Sequence, residues 1–386
     1  MKIVYVLPTL AWKGGAERII TERVNYFTEI LGYDVSVVCI IQEKEQANTY
    51  SLSSKVTQIY LGIKVYLQYK YSYPKRFWIQ FSLRNQIKRR LKSTIQQIDP
   101  DILIGVGYYR ANLVCTINCR AKKIIECHDG RNKIITDFMF NNKRLTPPLM
   151  AIYQKLYFKT VERHADLIIA LTSEAKRRWK NAKRVEVIPN FSPMKINQYS
   201  NCTYKRVIAV GRLDWEKGFG RLIEIWGIVS KRFPDWHLDI FGEGRMNDTL
   251  KVLTGLYNAQ NVSFHKFTPN ISYEYATSSI CVVTSYYEGF SLVLLEAMKH
   301  GVPCIAFDCP FGPRSIIDDA SNGFLVYDGE IKLFAERLCR LIEDEELRKQ
   351  FSKNAIEKAK LFDTDIVMNQ WKTLFKELTS QKRNKP

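Results

Sequence analysis

The sequence predicts an α/β protein of two domains, each containing a doubly wound parallel sheet. Short apolar runs that are typical of buried strands alternate with helical patterns along the chain, as such sheets require. The alternation stops at a polar, proline-containing stretch at 188–205 and restarts at residue 206. The length of 386 residues also suits two hydrophobic cores better than one.

Strand and helix patterns follow each other in a regular order in both halves. In the first half, strands are predicted at 2–7, 35–41, 102–106, 123–127, 167–171 and 185–188, with helices at 15–31, 77–98 and 147–164. In the second half, strands are predicted at 206–210, 236–241, 280–284 and 303–307, with helices at 218–233 and 291–300.

These patterns predict domains at 1–190 and 191–363, followed by a final helix at 364–378 that packs back on the first domain. Two open α/β domains of similar size are expected to bind a ligand in the cleft between them. The carboxyl ends of the strands face such a cleft.

Composition excludes several classes of protein. No apolar run is long enough to span a bilayer, and the first apolar segment, 2–8, is too short for a signal sequence, which predicts a cytoplasmic protein. The nine cysteines are scattered without metal-like spacing and are expected to be reduced thiols. No metal site is predicted.

Nearly all the net positive charge lies in the first half of the chain. Residues 1–200 contain 33 Lys and Arg against 15 Asp and Glu, whereas the remaining residues contain 25 against 24. The first half is therefore expected to meet an anionic partner that the second half does not.

The most informative segment is 285–301, which follows the strand at 280–284. A helix is predicted to begin near Ser291, a favourable N-cap residue, and Gly289 lets the backbone approach a ligand closely. The N–H groups of Phe290, Ser291 and Leu292 would then form an anion site at the helix N-terminus. An ordinary strand–turn–helix with apolar packing is the alternative.

Two carboxylates flank that N-terminus. Glu288 precedes the helix, and Glu296 lies two turns into it. Because a carboxylate repels a phosphate, both are expected to accept hydrogen bonds from hydroxyl groups. A phosphate beside two hydroxyl-binding groups indicates a nucleotide sugar.

Two further glycine-containing loops follow the first strand of each domain. In the segment 211–218, Arg212 and Lys217 can converge on one diphosphate, unless they pair with the acidic residues of the same loop. Gly14 and Gly15 open the first long helix and would let backbone amides approach a negative ligand. A paired glycine alone is a weak signal, and a simple loop is the alternative.

These motifs together resemble the family 4 retaining glycosyltransferases, which have the GT-B fold of two Rossmann-like domains. The order and spacing of the motifs carry the resemblance, which is strong over 205–330 and looser before it. The matching segments are Gly14-Gly15, Gly211-Arg212 to Lys217-Gly218, Glu288 with Glu296, His300-Gly301-x-Pro303, 308–314 and 322–326.

The resemblance implies a role for each candidate residue. Arg212 and Lys217 would neutralise the donor diphosphate, Glu288 and the amides of 289–292 would contact the donor sugar and phosphate, and Glu296 would bind the ribose.

The resemblance also implies roles for Gly14, Gly15, His128 and Lys266. The Gly14-Gly15 loop would approach the β-phosphate, and His128 would face the donor sugar, although an isolated histidine is usually structural. Lys266, in the segment 262–266, would line the nucleobase pocket. The resemblance also implies a metal-independent reaction without a cofactor, with the leaving phosphate taking the acceptor proton. Trp12, beside the glycine pair, departs from the family pattern.

The segment 46–98 contains ten Lys and Arg and no acidic residue. Its densest part, 75–92, predicts an amphipathic helix with a basic face that can bind an anionic membrane surface. A packed helix with a solvated polar face, or binding to acceptor phosphate, is the alternative. The resulting hypothesis is a peripheral enzyme on the cytoplasmic leaflet that extends a lipid-linked glycan.

Several other functions are alternatives to this glycosyltransferase hypothesis. A nucleotide-sugar epimerase of the same architecture would leave the basic helix unexplained, and a GDP-mannose-dependent transferase would share the donor site. A nucleic-acid binder is disfavoured because no recognition motif is present. An NAD dehydrogenase is disfavoured because no Gly-x-Gly-x-x-Gly follows the first strand. UDP is the nucleotide that the resemblance favours.

Overall fold

The computed structural model describes residues 1–72, 75–107, 111–128 and 147–380. The chain divides into two compact units, one formed by Met1–Ile188 with Met368–Pro386 and the other by Pro189–Val367. Each unit contains one all-parallel sheet between helices, so the predicted α/β class is confirmed.

The sheet of the first unit has seven strands. They are β1 (Lys2–Leu7), β2 (Asp34–Cys39), β3 (Thr57–Tyr60), β4 (Ile102–Val106), β5 (Lys122–Cys127), β6 (Leu167–Ala170) and β7 (Val185–Val187). Their spatial order is β3-β2-β1-β4-β5-β6-β7. Central strands such as β4 are buried on both faces, which explains why they appear in the sequence as continuous apolar runs.

Helices cover both faces of this sheet. They are α1 (Gly15–Glu29), α2 (Lys75–Ile98), α3 (Ala111–Cys115), α4 (Pro147–His164) and α5 (Ser173–Arg177), with a 3₁₀ helix at Val65–Lys70. The apolar stripe of α2, formed by Ile87, Leu91 and Ile95, is buried in one hydrophobic cluster with residues of β1, β4 and β5.

The sheet of the second unit has six strands. They are β8 (Arg206–Val210), β9 (His237–Phe241), β10 (Val262–His265), β11 (Ile280–Val283), β12 (Cys304–Asp308) and β13 (Gly323–Tyr327), in the order β10-β9-β8-β11-β12-β13. The helices are α6 (Phe219–Arg232), α7 (Asn247–Leu256), α8 (Ile271–Ala276), α9 (Leu292–Lys299), α10 (Ile331–Glu343) and α11 (Glu345–Lys360). Trp226 of α6 is fully buried in the core.

The last helix, α12 (Thr364–Ser380), joins the first unit from Met368 onward. Trp371 and Phe375 of α12 pack on Phe27 of α1, with ring centroids 6.1 Å and 5.1 Å apart. Both α12 rings are fully buried, so this helix completes the core of the first unit.

Candidate active site

The sheet of the second unit reverses its direction of winding between β8 and β11. The strands β9 and β10 follow β8 on one side, whereas β12 and β13 follow β11 on the other. A crevice forms at the carboxyl ends of the strands at such a switch point, and ligands bind there in open α/β sheets. The loops 211–218 and 284–291 leave β8 and β11 at this position.

Hydrogen bonds join these two loops. Thr284 Oγ1 donates to the carbonyl oxygen of Gly218 (3.1 Å), and the amide of Tyr286 donates to the carbonyl oxygen of Glu216 (2.9 Å). The ring of Tyr286 also stacks on that of Trp215, with centroids 4.5 Å apart and planes within 7°. The two loops therefore form one continuous surface.

Gly218 permits this close approach. Its φ is +63°, in the left-handed region, and a Cβ atom would overlap the carbonyl oxygen of Thr284. Only glycine meets both requirements without displacing the β11 loop.

The arginine that holds the β11 loop, Arg221 of α6, was not singled out from the sequence. Its guanidinium is buried, donates from Nε to the carbonyl oxygen of Thr284 (2.5 Å) and from Nη1 to Asp328 (2.6 Å), and lies over the ring of Tyr286. In sequence it resembles any solvated cation on an amphipathic helix. Its position three residues after Gly218 is the one signal that could have indicated it.

Lys217 and Glu288 meet between the two loops. Nζ of Lys217 lies 2.8 Å from Oε1 of Glu288, and Oγ of Ser285 donates to the same oxygen at 2.6 Å. Glu288 is buried, with 8% of its surface exposed. The predicted phosphate-binding cation and the predicted hydroxyl-binding carboxylate are thus direct neighbours.

Arg212 lies at the edge of this site rather than within it. Its side chain is 55% exposed and is 3.4 Å from Asp214 and 3.5 Å from Glu216. The sequence predicted that Arg212 and Lys217 converge, but in the structure they contact different carboxylates. Both cations nevertheless belong to the same short loop, so a bound anion could attract both.

The N-terminus of α9 follows Glu288 directly. Ser291 is its N-cap residue, as predicted, but its side chain makes no capping hydrogen bond. Its φ of +58° is left-handed, and its buried Oγ has no hydrogen-bond partner in the described part of the chain. Among the same residues, the amides of Phe290, Ser291 and Leu292 donate to no backbone carbonyl. These groups, which follow Gly289, are available to an anion.

Glu296 is buried one turn further along α9. The hydroxyl of Tyr275 donates to its Oε2 (3.3 Å), and burial together with this carboxylate raises the pKa of Tyr275. Nδ1 of His300 lies 2.7 Å from the carbonyl oxygen of Glu296, and burial lowers the pKa of His300. These contacts hold the C-terminal end of α9 and the Glu296 carboxylate in place.

Lys266 is the candidate of this unit that does not lie on the β8 or β11 loop or on α9. It is exposed and follows β10, which is separated from β8 by β9. The preceding residue, His265, stacks on Phe241 with ring centroids 4.5 Å apart. The predicted nucleobase segment 262–266 thus ends at the same edge of the sheet as the β8 loop.

In the first unit, Gly14 and Gly15 lie at the corresponding switch point, between β1 and β4. Gly14 is the N-cap of α1, and Gly15 is its first residue. The Glu17 carboxylate lies where a Cβ atom of Gly14 would be. An anion approaching this helix N-terminus would therefore meet a carboxylate already there.

His128 follows β5 at the same edge of that sheet. It is buried, and its Nε2 lies 3.0 Å from Oε1 of Glu126. The next residue, Asp129, lies outside the described residues.

The basic helix α2 differs from the simplest amphipathic expectation. Phe77, Trp78 and Phe81, near its N-terminus, are more than half exposed and do not join the buried aliphatic stripe. Arg90 donates to the carbonyl oxygen of Leu61 (2.7 Å) and so anchors the helix.

No helix in the described part of the chain combines the length and apolar composition needed to cross a bilayer. No cluster of three or more His, Cys, Asp or Glu side chains suited to a metal ion occurs among the same residues.

Comparison with known proteins identifies the family. Residues 13–192 match the model of Glycosyltransferase Family 4, and residues 195–358 match that of Glycosyl transferases group 1. The chain belongs to the family 4 glycosyltransferases. The two matches together account for most of the sequence.

Curated relatives of this glycosyltransferase include bacterial enzymes. An uncharacterized glycosyltransferase of Haemophilus influenzae is 27% identical over 382 residues, which span 96% of this chain and 99% of the relative. The amylovoran biosynthesis glycosyltransferase AmsD of Erwinia amylovora is 33% identical over 218 residues, or 54% of this chain and 61% of AmsD.

Solved structures show that the fold is GT-B. Sucrose-phosphate synthase from Thermosynechococcus elongatus aligns over 98% of this chain and 99% of its own, with a TM-score of 0.79 and 17% identity. Anabaena HepE, solved in complex with UDP and glucose, aligns over 98% and 100%, with a TM-score of 0.72 and 17% identity. At these identities the likeness concerns the fold alone.

Proposed function

We propose that this glycosyltransferase moves a hexose or N-acetylhexosamine from a nucleotide diphosphate sugar, preferably a UDP-sugar, to a lipid-linked glycan acceptor, with retention of configuration. The observation that carries this proposal is the Lys217–Glu288 contact at the β8/β11 switch point, beside the N-terminus of α9. The cation Lys217 and the carboxylate Glu288, which can accept hydrogen bonds from hydroxyl groups, lie there beside the proposed anion site.

The chief chemical requirement is to stabilise charge that develops on the leaving diphosphate. Lys217 would exchange part of its contact with Glu288 for the phosphate, and Arg212 would turn from its loop carboxylates to the same group. The amides of Phe290, Ser291 and Leu292 would supply further donors without reorganisation, because the helix already orients them.

The two carboxylates would orient the donor. Glu288, beside Gly289, would accept hydrogen bonds from hydroxyls of the sugar, and Glu296 would accept them from the ribose. Both are buried, so a sugar without hydroxyls at the matching positions would leave part of the hydrogen-bonding capacity of a carboxylate unused. This arrangement favours donors with hydroxyls at the matching positions.

Retention without a protein nucleophile would proceed by attack from the same face as the departing phosphate. The acceptor oxygen would bond to the anomeric carbon as the carbon–oxygen bond to the diphosphate breaks, and a phosphate oxygen would take the acceptor proton. The described residues offer cationic and backbone donors for this step, and we propose that it is metal-independent.

Residues 1–190 would form the acceptor side and residues 191–363 the nucleotide side, with the helix 364–378 on the former. In that assignment, His128 would face the donor sugar, and Gly14 and Gly15 would approach the β-phosphate. Lys266 would line the base pocket.

The choice of UDP is supported by proteins of the same fold. HepE was solved with UDP and glucose, and the pneumococcal O-GlcNAc transferase GtfA was solved with UDP and GlcNAc. GDP-mannose is the second candidate. An epimerase of the same architecture would turn over its donor without an acceptor.

A panel of UDP- and GDP-sugars, assayed for nucleotide release with and without EDTA and a polyprenyl-linked acceptor, tests the function. We expect release from one donor, stimulation by the acceptor, loss in a Glu288→Gln variant and no effect of EDTA. Release that requires an added metal would contradict the mechanism. Interconversion of two sugars without transfer would indicate the epimerase.

The acceptor would be met at the cytoplasmic membrane face through residues 75–92. Exposed Phe77, Trp78 and Phe81 lie beside a run of cations on α2, a combination suited to the interface of an anionic leaflet. Each basic residue near the surface contributes about 1 kcal/mol.

Flotation with phosphatidylglycerol vesicles tests the membrane proposal. We expect the wild type to float at low salt and a Lys88→Ser/Arg89→Ser variant to float less. Arg90 is left in place because it bonds to Leu61. Arg245→Ser/Lys251→Ser removes two exposed cations of the second unit as a matched control. Equal flotation of both variants, or none by the wild type, would refute the membrane role.

A further inference from the structure

The first unit contains a charged pair in its core. Arg23 of α1 and Glu126 of β5 form an ion pair, and both side chains are fully buried. The guanidinium of Arg23 also lies 4.7 Å from the ring centroid of Trp371 in α12. Burying such a pair costs several kcal/mol of hydration per ion, so it is a weak source of stability. A second role would explain its presence.

Glu126 links this pair to His128. The two residues are two positions apart at the end of β5, so their side chains share one face of the sheet. Nη1 of Arg23 and Nε2 of His128 both approach Oε1 of Glu126, the latter at 3.0 Å. Arg23, Glu126 and His128 therefore form one chain of contacts that runs from the core to the edge of the sheet where the strands have their carboxyl ends.

The carboxylate is ionised throughout the physiological range. Burial raises the pKa of Glu126, but the Arg23 guanidinium and His128 lower it to about 2. An imidazole beside a fixed carboxylate keeps its proton on the nitrogen that faces the carboxylate, and its other nitrogen is then a hydrogen-bond acceptor. In the described part of the chain neither ring nitrogen makes a hydrogen bond of regular geometry: Nε2 lies 3.0 Å from the Glu126 carboxylate, and Nδ1 has no partner.

We propose that Glu126, held by Arg23, is a positioning residue that fixes the ring orientation and tautomer of His128 so that Nδ1 accepts a hydrogen bond from a hydroxyl of the donor sugar. This inference rests on the proposed function, in which His128 faces that sugar. The ring of Trp371 lies over the Arg23 guanidinium, so α12 also contributes to the support of the histidine.

The decisive variant is Arg23→Leu/Glu126→Leu. It removes both charges and keeps apolar volume under Trp371, and such replacements are often neutral or stabilising, so the protein is expected to fold. Glu126→Asp provides a second route, because it keeps the charge on Arg23 but withdraws the carboxylate from His128. Arg232→Leu/Glu343→Leu, which removes an exposed ion pair of the second unit, is the matched control.

Ring ¹⁵N spectra of the five histidines, with His128 assigned from a His128→Asn variant, provide the first readout. We expect one tautomer in the wild type and the control, and a mixture in the other two variants. The second readout is donor turnover, where kcat should fall roughly tenfold to a hundredfold in those variants with little change in KM.

A folded double variant with the wild-type His128 spectrum would overturn the proposal, and so would a changed spectrum with wild-type kcat. Absence of wild-type turnover with every nucleotide sugar would instead count against the proposed function. In that case the spectra alone decide whether Glu126 holds His128.

Discussion

At the scale of single residues, two positions in the loops after β8 and β11 have left-handed backbone conformations. Gly218 is left-handed and touches the backbone of Thr284, and Ser291 adopts a left-handed conformation without the help of a side-chain cap. Non-glycine residues in this conformation are uncommon and concentrate at functional positions. The strain at Ser291 lies at the proposed phosphate site.

Gly218→Ala should destabilise the second unit by more than the ordinary left-handed cost of about 1–2 kcal/mol, because the added Cβ overlaps the Thr284 carbonyl. Gly329→Ala is the matched control, since Gly329 is also left-handed but has nothing within 4 Å of the added atom. Urea denaturation of both variants measures the difference. Equal losses of unfolding free energy would show that the overlap is relieved without cost.

The contribution of the Arg23–Glu126 pair to the stability of the protein should be lost at acidic pH. The folded pKa of Glu126, about 2, lies below its ordinary value of 4.5, so its contribution to stability is present above pH 4.5 and is lost as the pH falls toward 2. The Arg23→Leu/Glu126→Leu variant should therefore lose less stability than the wild type over this window. Urea denaturation between pH 6 and 2.5 tests this, and parallel curves would contradict it.

The sequence indicated several of the candidate site residues, but it did not indicate which residues they contact. Lys217, Glu288 and Glu296 stood out through spacing, but the Lys217–Glu288 contact depends on two strands being adjacent in the sheet. Arg221 and Arg23 appear in sequence as ordinary helical cations. Their burial is set by packing against other elements, which no local pattern records.

At the scale of elements, the predicted strands and helices agree with the structure where the apolar pattern is continuous. The strands β3, β10 and β13 were not predicted; each has only four or five residues and lies at an edge of its sheet. In α2 the amphipathic pattern is only partly realised: Phe77, Trp78 and Phe81 near its N-terminus are exposed, whereas the aliphatic stripe further along the helix is buried.

The helix α12 should contribute strongly to the stability of the first unit. Trp371→Ala would leave a cavity against Phe27 and Arg23 and is expected to cost about 3–5 kcal/mol. Lys376→Ala, at an exposed position of the same helix, should change stability by less than about 0.5 kcal/mol. Thermal unfolding compares the two, and similar midpoints would mean that α12 is not docked through Trp371.

At the scale of the whole molecule, each sheet has a switch point with a glycine-containing loop beside it, but different charged groups lie next to the two sets of glycines. In the loop after β8 the cation Lys217 directly precedes Gly218, whereas the Glu17 carboxylate lies against Gly14 in the loop after β1. The excess of positive charge in residues 1–200 lies largely elsewhere, including α2. Diphosphate binding is therefore expected to depend mainly on the second unit, and the basic surface of the first on another anionic partner.

Calorimetric titration of UDP into the wild type and a Lys217→Met variant tests the central claim most directly, with Lys251→Met, an exposed lysine of α7, as the control. A charge-assisted hydrogen bond is worth about 1.5–3 kcal/mol, so the variant should bind UDP roughly ten to a hundred times more weakly. The control should bind like the wild type. Equal affinity of Lys217→Met and the wild type would contradict a diphosphate site at the β8/β11 switch point.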